Sequence, residues 1–267
     1  MLNYFLNKMK KLKLLIISLV MIFKGISWGE ERSLPSWEIN GETSYIRYRE
    51  PGVMKEKGIM YGVNGSYTFR NRFMLKLEGR FSVGQLDYKN SGEINNIDNY
   101  IYELRSLGGY SLPKFRSSML TPYIGIGYRY LNDDSSGKIS STGAWGYERE
   151  ISYIYSPLGI ELFTSLENGW SVILSLEYDY FWDGNVESHL GEIPGYYDVK
   201  NDQDKGYGIR GSIKFDKKGE VLDFTGGSFV RYWNIKDSKI TVDPAGTAWI
   251  EPKNNSLEIG LQLGIKF

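Results

Sequence analysis

Few residues of this chain have side chains suited to chemistry, and the sole histidine, His189, is the first of them. An imidazole can take up or release a proton near neutral pH. A carboxylate such as Glu187, two residues earlier, can fix its tautomer and raise its basicity. The chain has no cysteine, no Gly-rich phosphate loop, no Gly-x-Ser-x-Gly and no zinc motif. These absences exclude thiol catalysis and thiolate metal sites, and we expect neither a cofactor nor a metal.

The segment that leads to His189 has the two-residue period of a β-strand. In 170–180, Trp170, Val172 and Leu174 alternate with polar or smaller residues, and the same alternation recurs along the chain. It predicts an all-β fold of ten antiparallel strands, near 37–49, 59–70, 73–86, 99–112, 119–131, 149–165, 170–182, 206–215, 221–235 and 256–267.

The connections between these strands alternate in length. Those near 71–72, 113–118, 166–169 and 216–220 are short, whereas longer ones are expected at 50–58, 87–98, 132–148, 183–205 and 236–255. Short turns at one end and long loops at the other are typical of an up-and-down barrel in the outer membrane, with both termini in the periplasm. Phase breaks near Leu104 and Pro157 predict bulges or an exit from the bilayer.

The last predicted strand has one apolar and one polar face. Leu257, Ile259 and Leu261 alternate with Glu258 and Gln262, and the strand ends at Phe267. A strand of this kind with a terminal aromatic residue resembles the closing strand of Gram-negative outer-membrane β-barrels, including uncharacterised members. That resemblance implies a transmembrane antiparallel barrel, recognition of this strand by the barrel-assembly machinery, and contact with outer-membrane lipid and lipopolysaccharide.

The first residues have the pattern of an export signal. Lysines precede an apolar run at 14–23, which is shorter than the roughly 20 residues that span a bilayer, and small residues near Gly29 suit cleavage. We therefore predict a signal peptide at 1–29 and a barrel at 30–267. Removing the five lysines of 1–29 from 32 basic groups leaves 27, against 32 acidic groups. This acidic balance argues against a nucleic-acid partner.

The predicted strands place both charged and aromatic residues at regular positions. Tyr123, Tyr128, Tyr130, Tyr153, Tyr155 and the segment 178–182 are interpreted as aromatic girdles at the membrane interfaces, although a stacking platform for a ligand is an alternative. Charges of both signs are expected to face inward and to pair: Lys76, Glu78, Arg80, Glu103, Arg105, Arg129, Glu177, Asp179, Arg210, Lys214, Arg231 and Glu258. Because ten strands enclose little space, this network is expected to fill the lumen.

Ten strands, long outer loops and a histidine beyond the seventh strand also resemble the omptin outer-membrane proteases. The chain has Glu187-x-His189 where that family has Asp-x-His, and Gln85-x-Asp87 where it has Asp-x-Asp. The resemblance implies Asp87, Glu187 and His189 as catalytic residues, with Glu187 orienting His189 and Asp87 facing it across the barrel mouth.

Three functions remain open. The leading hypothesis is a barrel with a structural or surface-interaction role, in which loops 183–205 and 236–255 meet external partners. A narrow channel for small solutes and an omptin-like protease are the alternatives. A soluble exported β-sandwich is a further possibility, and it would require other protein surfaces to cover the apolar strand faces.

Overall fold

A computed structural model describes residues 35–112 and 116–267, and these are almost entirely β-structure. The predicted signal peptide at 1–29 lies outside the described residues, so it stays a prediction. Within the described ranges, the helical segments are two three-residue turns, Glu167–Gly169 and Leu190–Glu192. No helix in this part of the chain is long and apolar enough to cross a membrane.

Thirteen strands are present in the described residues. They are β1 (Ser36–Glu50), β2 (Met54–Arg70), β3 (Phe73–Lys89), β4 (Glu93–Tyr110), β5 (Ser118–Asp134), β6 (Glu148–Ser165), β7 (Trp170–Ser188), β8 (Val199–Gln203), β9 (Gly206–Lys217), β10 (Asp223–Ile235), β11 (Thr241–Val242), β12 (Ala248–Trp249) and β13 (Asn254–Lys266). All strands other than β8, β11 and β12 form one antiparallel ring, which β1 and β13 close. The predicted ten-strand barrel is confirmed.

The barrel is apolar outside and polar inside. On β13, Ile259, Leu261 and Leu263 are 53%, 61% and 74% exposed, whereas Glu258, which precedes Ile259, is 4% exposed. A water-soluble sandwich would bury such an apolar face, because exposing large contiguous apolar surface to water is unfavourable. Hydrocarbon is the medium that suits this wall, so the soluble alternative is excluded.

The outer ends of the barrel differ from the sequence prediction. The prediction of long loops at 50–58 and 87–98 is wrong, because β1–β2 and β3–β4 continue as hairpins with turns at 51–53 and 90–92. The sequence underestimates the length of these strands, because above the membrane both strand faces are polar and the two-residue alternation is lost. Longer connections remain at 135–147, 189–205 and 236–253.

The register identifies where the wall is irregular. β3 and β4 pair without a shift through Leu104, so a bulge there was a wrong prediction. The shift between β6 and β7 falls at Ile154 and Tyr155, close to the predicted irregularity at Pro157. A further shift, between Leu86 and Tyr88, was not predicted.

Several of the predicted girdle aromatics lie inside the barrel. Tyr153 and Tyr155 are 2% and 0% exposed, and the Tyr123 hydroxyl donates a hydrogen bond to lumenal Glu177. The girdle interpretation is therefore wrong for these three tyrosines. Tyr178 and nearby Tyr180 and Trp182 do face outward. The error has a simple source: Tyr153 and Tyr155 share the phase of Arg149 and Glu161, which both point inward on β6.

Candidate functional site

The three residues predicted to be catalytic have separate partners. The Glu187 carboxylate accepts from Lys200 Nζ at 2.9 Å across the β7–β8 pair. His189 Nδ1 lies 3.9 Å from Asp198 Oδ2. Asp87 Oδ1 accepts the backbone N–H of Asn96 at 3.1 Å.

The strand phases explain this separation. Asp87 follows buried Leu86, and Glu187 lies between buried Val186 and Ser188, so both carboxylates are on the outward side of their strands. Neither carboxylate therefore points into the barrel mouth, where the resemblance implies that Asp87 faces His189, and the omptin-like activity stays a prediction. Asp198 was missed as a partner of His189 because a short helical turn, which sequence spacing did not show, brings them together.

The lumen contains the predicted charge network, and its first part is a quartet of two glutamates and two arginines. Arg80 pairs with Glu42 and Glu258. Arg231 approaches the same two carboxylates, each at 3.2 Å. Ser44 Oγ also donates to Glu258 at 2.7 Å. Each carboxylate thus has two cationic partners, the condition under which buried charges are tolerated.

Arg210 is the centre of the second part. Its Nη1 donates to Glu103 Oε2 at 2.8 Å, and its Nε donates to Asp179 Oδ2 at 2.6 Å. The Tyr155 hydroxyl adds a bond of 2.6 Å to Glu103. Arg105 pairs with Glu177, whose other carboxylate oxygen lies 3.3 Å from Arg210 Nε. The side chains of β4 are thereby joined through the lumen to those of β6, β7 and β9, which are consecutive strands of the ring.

The lower part of the lumen is polar. Lys76 pairs with Glu78 at 2.6 Å, and Lys214 with Glu38 at 2.5 Å. A cavity of about 170 Å³ lies among these groups, and a second of about 210 Å³ shares Glu38, Lys76 and Lys214 with it and extends to Lys266 near the periplasmic end. Within the described residues, every predicted lumenal charge except Arg129 forms an ion pair, and the Arg129 guanidinium lies 5.7 Å from the Tyr153 ring centroid.

Above the ionic network the lumen is closed by apolar side chains, which we call the outer core. It comprises Ile46, Tyr48, Met54, Met60, Leu86, Ile101, Leu131, Ile151, Tyr153, Tyr155, Phe181, Val186, Trp233 and Ile235. The Tyr155 and Trp233 rings meet edge to face with centroids 5.0 Å apart. Gly127 makes room for Tyr155, since a β-carbon there would lie 2.2 Å from the tyrosine Cζ. The charged side chains that were expected to fill the lumen therefore account for only part of its closure, and the outer core provides the rest.

Outside the outer core lies a second buried ionic group, the rim cluster. It consists of Arg149 with four carboxylates, Glu50, Glu56, Asp133 and Glu251. Arg149 contacts Glu50 at 2.6 Å, Asp133 at 3.2 Å and Glu251 at 3.4 Å. The outward neighbours of these residues are charged, as Arg49 beside Glu50 and Glu150 beside Arg149 show, so the cluster lies above the bilayer.

The rim cluster has one cation for four carboxyl groups, and its acidities are shifted accordingly. Burial raises the pKa of Glu251 to about 7, an effect that Arg149 opposes and Glu50 reinforces. Burial and the neighbouring Asp133 raise the pKa of Glu56. Part of this cluster therefore holds protons near neutral pH. Sequence reasoning missed the cluster because its members are far apart along the chain and its four carboxyl groups lie in regions that the sequence analysis interprets as loops.

The two longest outer connections, 189–205 and 236–253, dock on each other and form what we call the outer platform. The Lys239 backbone N–H donates to Asp202 O at 3.0 Å, and Thr241 Oγ1 donates to Lys200 O at 2.8 Å. Its exposed surface is apolar and aromatic: Tyr196, Tyr197, Ile240 and Val242 are 50%, 48%, 68% and 61% exposed. No group of His, Cys, Asp or Glu arranged for a metal occurs in the described ranges.

Comparisons with known proteins show the fold and leave the activity open. No protein-family model and no curated protein sequence matches the chain. The outer membrane protease OmpT of Escherichia coli is similar in structure, with TM-score 0.59 and 9% identity over 87% of this chain and 96% of OmpT.

Two other outer-membrane barrels align less well. They are the toluene transporter TodX of Pseudomonas putida (TM-score 0.37, 7% identity, 89% of this chain and 90% of TodX) and the attachment invasion locus protein Ail of Yersinia pestis (0.36, 12%, 87% and 98%). The OmpT likeness shows the shared barrel fold. Similarities as low as the other two carry no argument.

Proposed function

We propose that this chain is an integral barrel of the bacterial outer membrane that does not conduct solutes and that presents its outer platform to an external macromolecule. The observation that carries the proposal is the contrast between the two ends. The lumen is closed by the outer core and the ionic network, whereas the platform is internally bonded and leaves large apolar side chains exposed.

The closed lumen argues against transport. The cavities in the lower barrel are lined by paired charges and lie below the outer core, which includes the fully buried side chains of Ile101 and Tyr155. A solute would have to displace both layers. Planar-bilayer recording of the refolded barrel should show no sustained conductance at moderate voltage, and porin-like current would overturn the closed-lumen part of the proposal.

The outer platform fits a binding role because its exposed groups are held in place. Loops on a rigid scaffold commonly carry recognition, and clustered exposed apolar side chains mark interaction surfaces. Ile240 and Val242 lie on a segment fixed to the other loop through Asn201, whose Nδ2 donates to Lys239 O at 3.2 Å.

Substitution of the exposed pair tests this role. Cells that display the wild-type protein are first tested against a panel of immobilised proteins and polysaccharides, which identifies the partner. Cells that display Ile240→Ser with Val242→Ser should no longer bind that partner. The matched control is Val53→Ser with Ile139→Ser, which removes two exposed aliphatic side chains from other outer connections. Both variants should keep heat-modifiable mobility in gels. Equal binding by the two variants and the wild type would contradict a recognition role for the platform.

A further inference from the structure

One stretch of the outward wall carries four cations in adjacent positions, which we call the basic face. Arg47 and Arg49 on β1 lie directly across from Lys57 and Lys55 on β2. All four alternate with inward residues such as buried Tyr48 and Glu56, so their side chains project from the barrel. Like charges directly opposite in a sheet destabilise the pairing. An arrangement with two such pairs in succession therefore calls for a compensating partner.

The protein does not provide that partner within the described residues. None of the four cations forms an ion pair there, and Arg47 Nε is shielded from solvent without a hydrogen-bond partner. Asp87 lies opposite Lys57 in the β2–β3 register, but its carboxylate bonds the Asn96 backbone instead.

Elsewhere at this level the outward charges are mostly acidic. Asp98, Asp134, Glu150 and Glu187 are examples on four other strands. The positive charge is therefore concentrated on the β1–β2 hairpin, and a uniform membrane-surface attraction does not account for it.

The surroundings of the basic face identify the kind of ligand. On the same outward side, one step toward the membrane, lie Tyr45 and Ile59, which are 42% and 44% exposed and pair across the two strands. Tyr61, at 63% exposed, follows. Because same-face residues of a strand are about 7 Å apart, cations and apolar groups form successive rows over a short distance. An amphipathic anion would satisfy both rows at once.

We propose that the basic face binds the phosphorylated headgroup of an outer-leaflet glycolipid, with its acyl chains on the apolar rows below. Arginine and lysine suit phosphate oxygens, arginine by two parallel hydrogen bonds. The proposal rests on the outer-membrane location given above and is independent of the outer platform and its partner.

Lipid binding to the purified barrel in neutral detergent tests the site. The probe is bisphosphorylated lipid A, titrated and followed by native mass spectrometry. Arg47→Gln with Lys57→Gln removes one cross-strand pair and should weaken lipid A binding at least tenfold, since each basic residue near an anionic headgroup contributes measurably. The control, Lys200→Gln with Lys205→Gln, makes the same charge change on the other side of the rim and should leave binding unchanged. Equal binding by all three proteins overturns the site.

Two further arms identify the source of the anion. Fully dephosphorylated lipid A should bind the wild type no better than bisphosphorylated lipid A binds the Arg47→Gln/Lys57→Gln variant. If the wild type bound the dephosphorylated and the bisphosphorylated lipid equally tightly, phosphate recognition would be overturned. Inorganic phosphate at the lipid concentration should not raise the unfolding temperature, whereas lipid A should. A matching rise with phosphate alone would overturn the lipid assignment.

Folding is scored separately by heat-modifiable mobility in detergent. Loss of like-charge repulsion should leave the Arg47→Gln/Lys57→Gln variant at least as stable as the wild type without lipid. Arg49→Gln with Lys55→Gln gives a second, independent pair with the same expected loss. A chain that shows no heat-modifiable form at all would refute the barrel proposal instead of the lipid site.

Discussion

Replacement of Arg149 by methionine is the sharpest test of the rim cluster. Methionine keeps an unbranched apolar stem but removes the only cation among Glu50, Glu56, Asp133 and Glu251. Removing one partner of a buried ion pair typically costs about 3–5 kcal/mol, because the remaining charge stays buried without compensation. Since this cluster fastens 236–253 to the barrel through Glu251, the cost should appear as local opening of that segment.

The cost should depend on pH in a defined direction. The folded-state pKa of Glu251 is raised to about 7 from an ordinary value of 4.5. Its protonated form therefore stabilises the fold fully below about pH 4.5, and this contribution is lost as the pH rises through about 7. At one pKa unit per 1.36 kcal/mol, the change in the wild type amounts to about 3 kcal/mol. Without Arg149, ionisation of Glu251 becomes still less favourable. The Arg149→Met variant should therefore be destabilised mainly at high pH.

Hydrogen exchange measures this opening directly. After correction for the intrinsic pH dependence of exchange, protected amides of 236–253 should exchange roughly 150- to 5000-fold faster in Arg149→Met than in the wild type at pH 8, as 3–5 kcal/mol implies. At pH 5 the difference should fall below about tenfold, because Glu251, whose pKa burial raises to about 7, is then protonated and does not repel its neighbours. Arg49→Met replaces an outward arginine that precedes Glu50 on β1; it is the matched control and should leave exchange unchanged. An acceleration of equal size at both pH values would refute the electrostatic reasoning.

Two other predictions concern the lumen. Arg210→Met should lower the free energy of unfolding by about 3–5 kcal/mol at pH 7, because it leaves Glu103 and Asp179 buried without their shared cation; urea titration of the refolded barrel measures this, and a loss below 1 kcal/mol would contradict the network's role. Gly127→Ala should cost about 1–3 kcal/mol, since its β-carbon would collide with the buried Tyr155 ring, whereas Gly41→Ala has open space and should be nearly neutral; the same titration compares them, and equal effects would argue against a tightly packed outer core.

The accuracy of the sequence prediction changes along the height of the barrel. At the periplasmic end, the predicted and observed strand limits agree closely, for example at residues 70, 73, 165 and 170. There lipid covers one face and polar groups cover the other, so the sequence must alternate. Toward the outer end both faces meet water or protein, and that constraint is lost, which is why β2, β3, β4 and β7 are longer than predicted.

The candidate sites show the same division. Inward phase identified Arg80, Arg210 and Glu258 as lumenal charges, because a charge on a membrane-spanning strand must avoid hydrocarbon. Phase could not say which cation meets which carboxylate. The Arg210–Glu103 pair joins residues 107 positions apart, and the choice depends on the register of every strand between them. The prediction that Asp87 and Glu187 are catalytic lacked this information. The β3–β4 and β6–β7 pairs each contain a register shift, and such a shift changes the direction in which the outer end of a strand presents its side chains.

The sequence by itself determined the barrel class, the ten strands, the lipid-facing side of most of them and the polar character of the lower lumen, because two-residue alternation is a local property that a bilayer enforces at each strand. Tertiary structure alone decided the outer core, the rim cluster, the docked outer platform and the four adjacent cations of the basic face. Each of these depends on closure and register, which bring together residues from distant strands through packing and Coulomb interactions that no local pattern records.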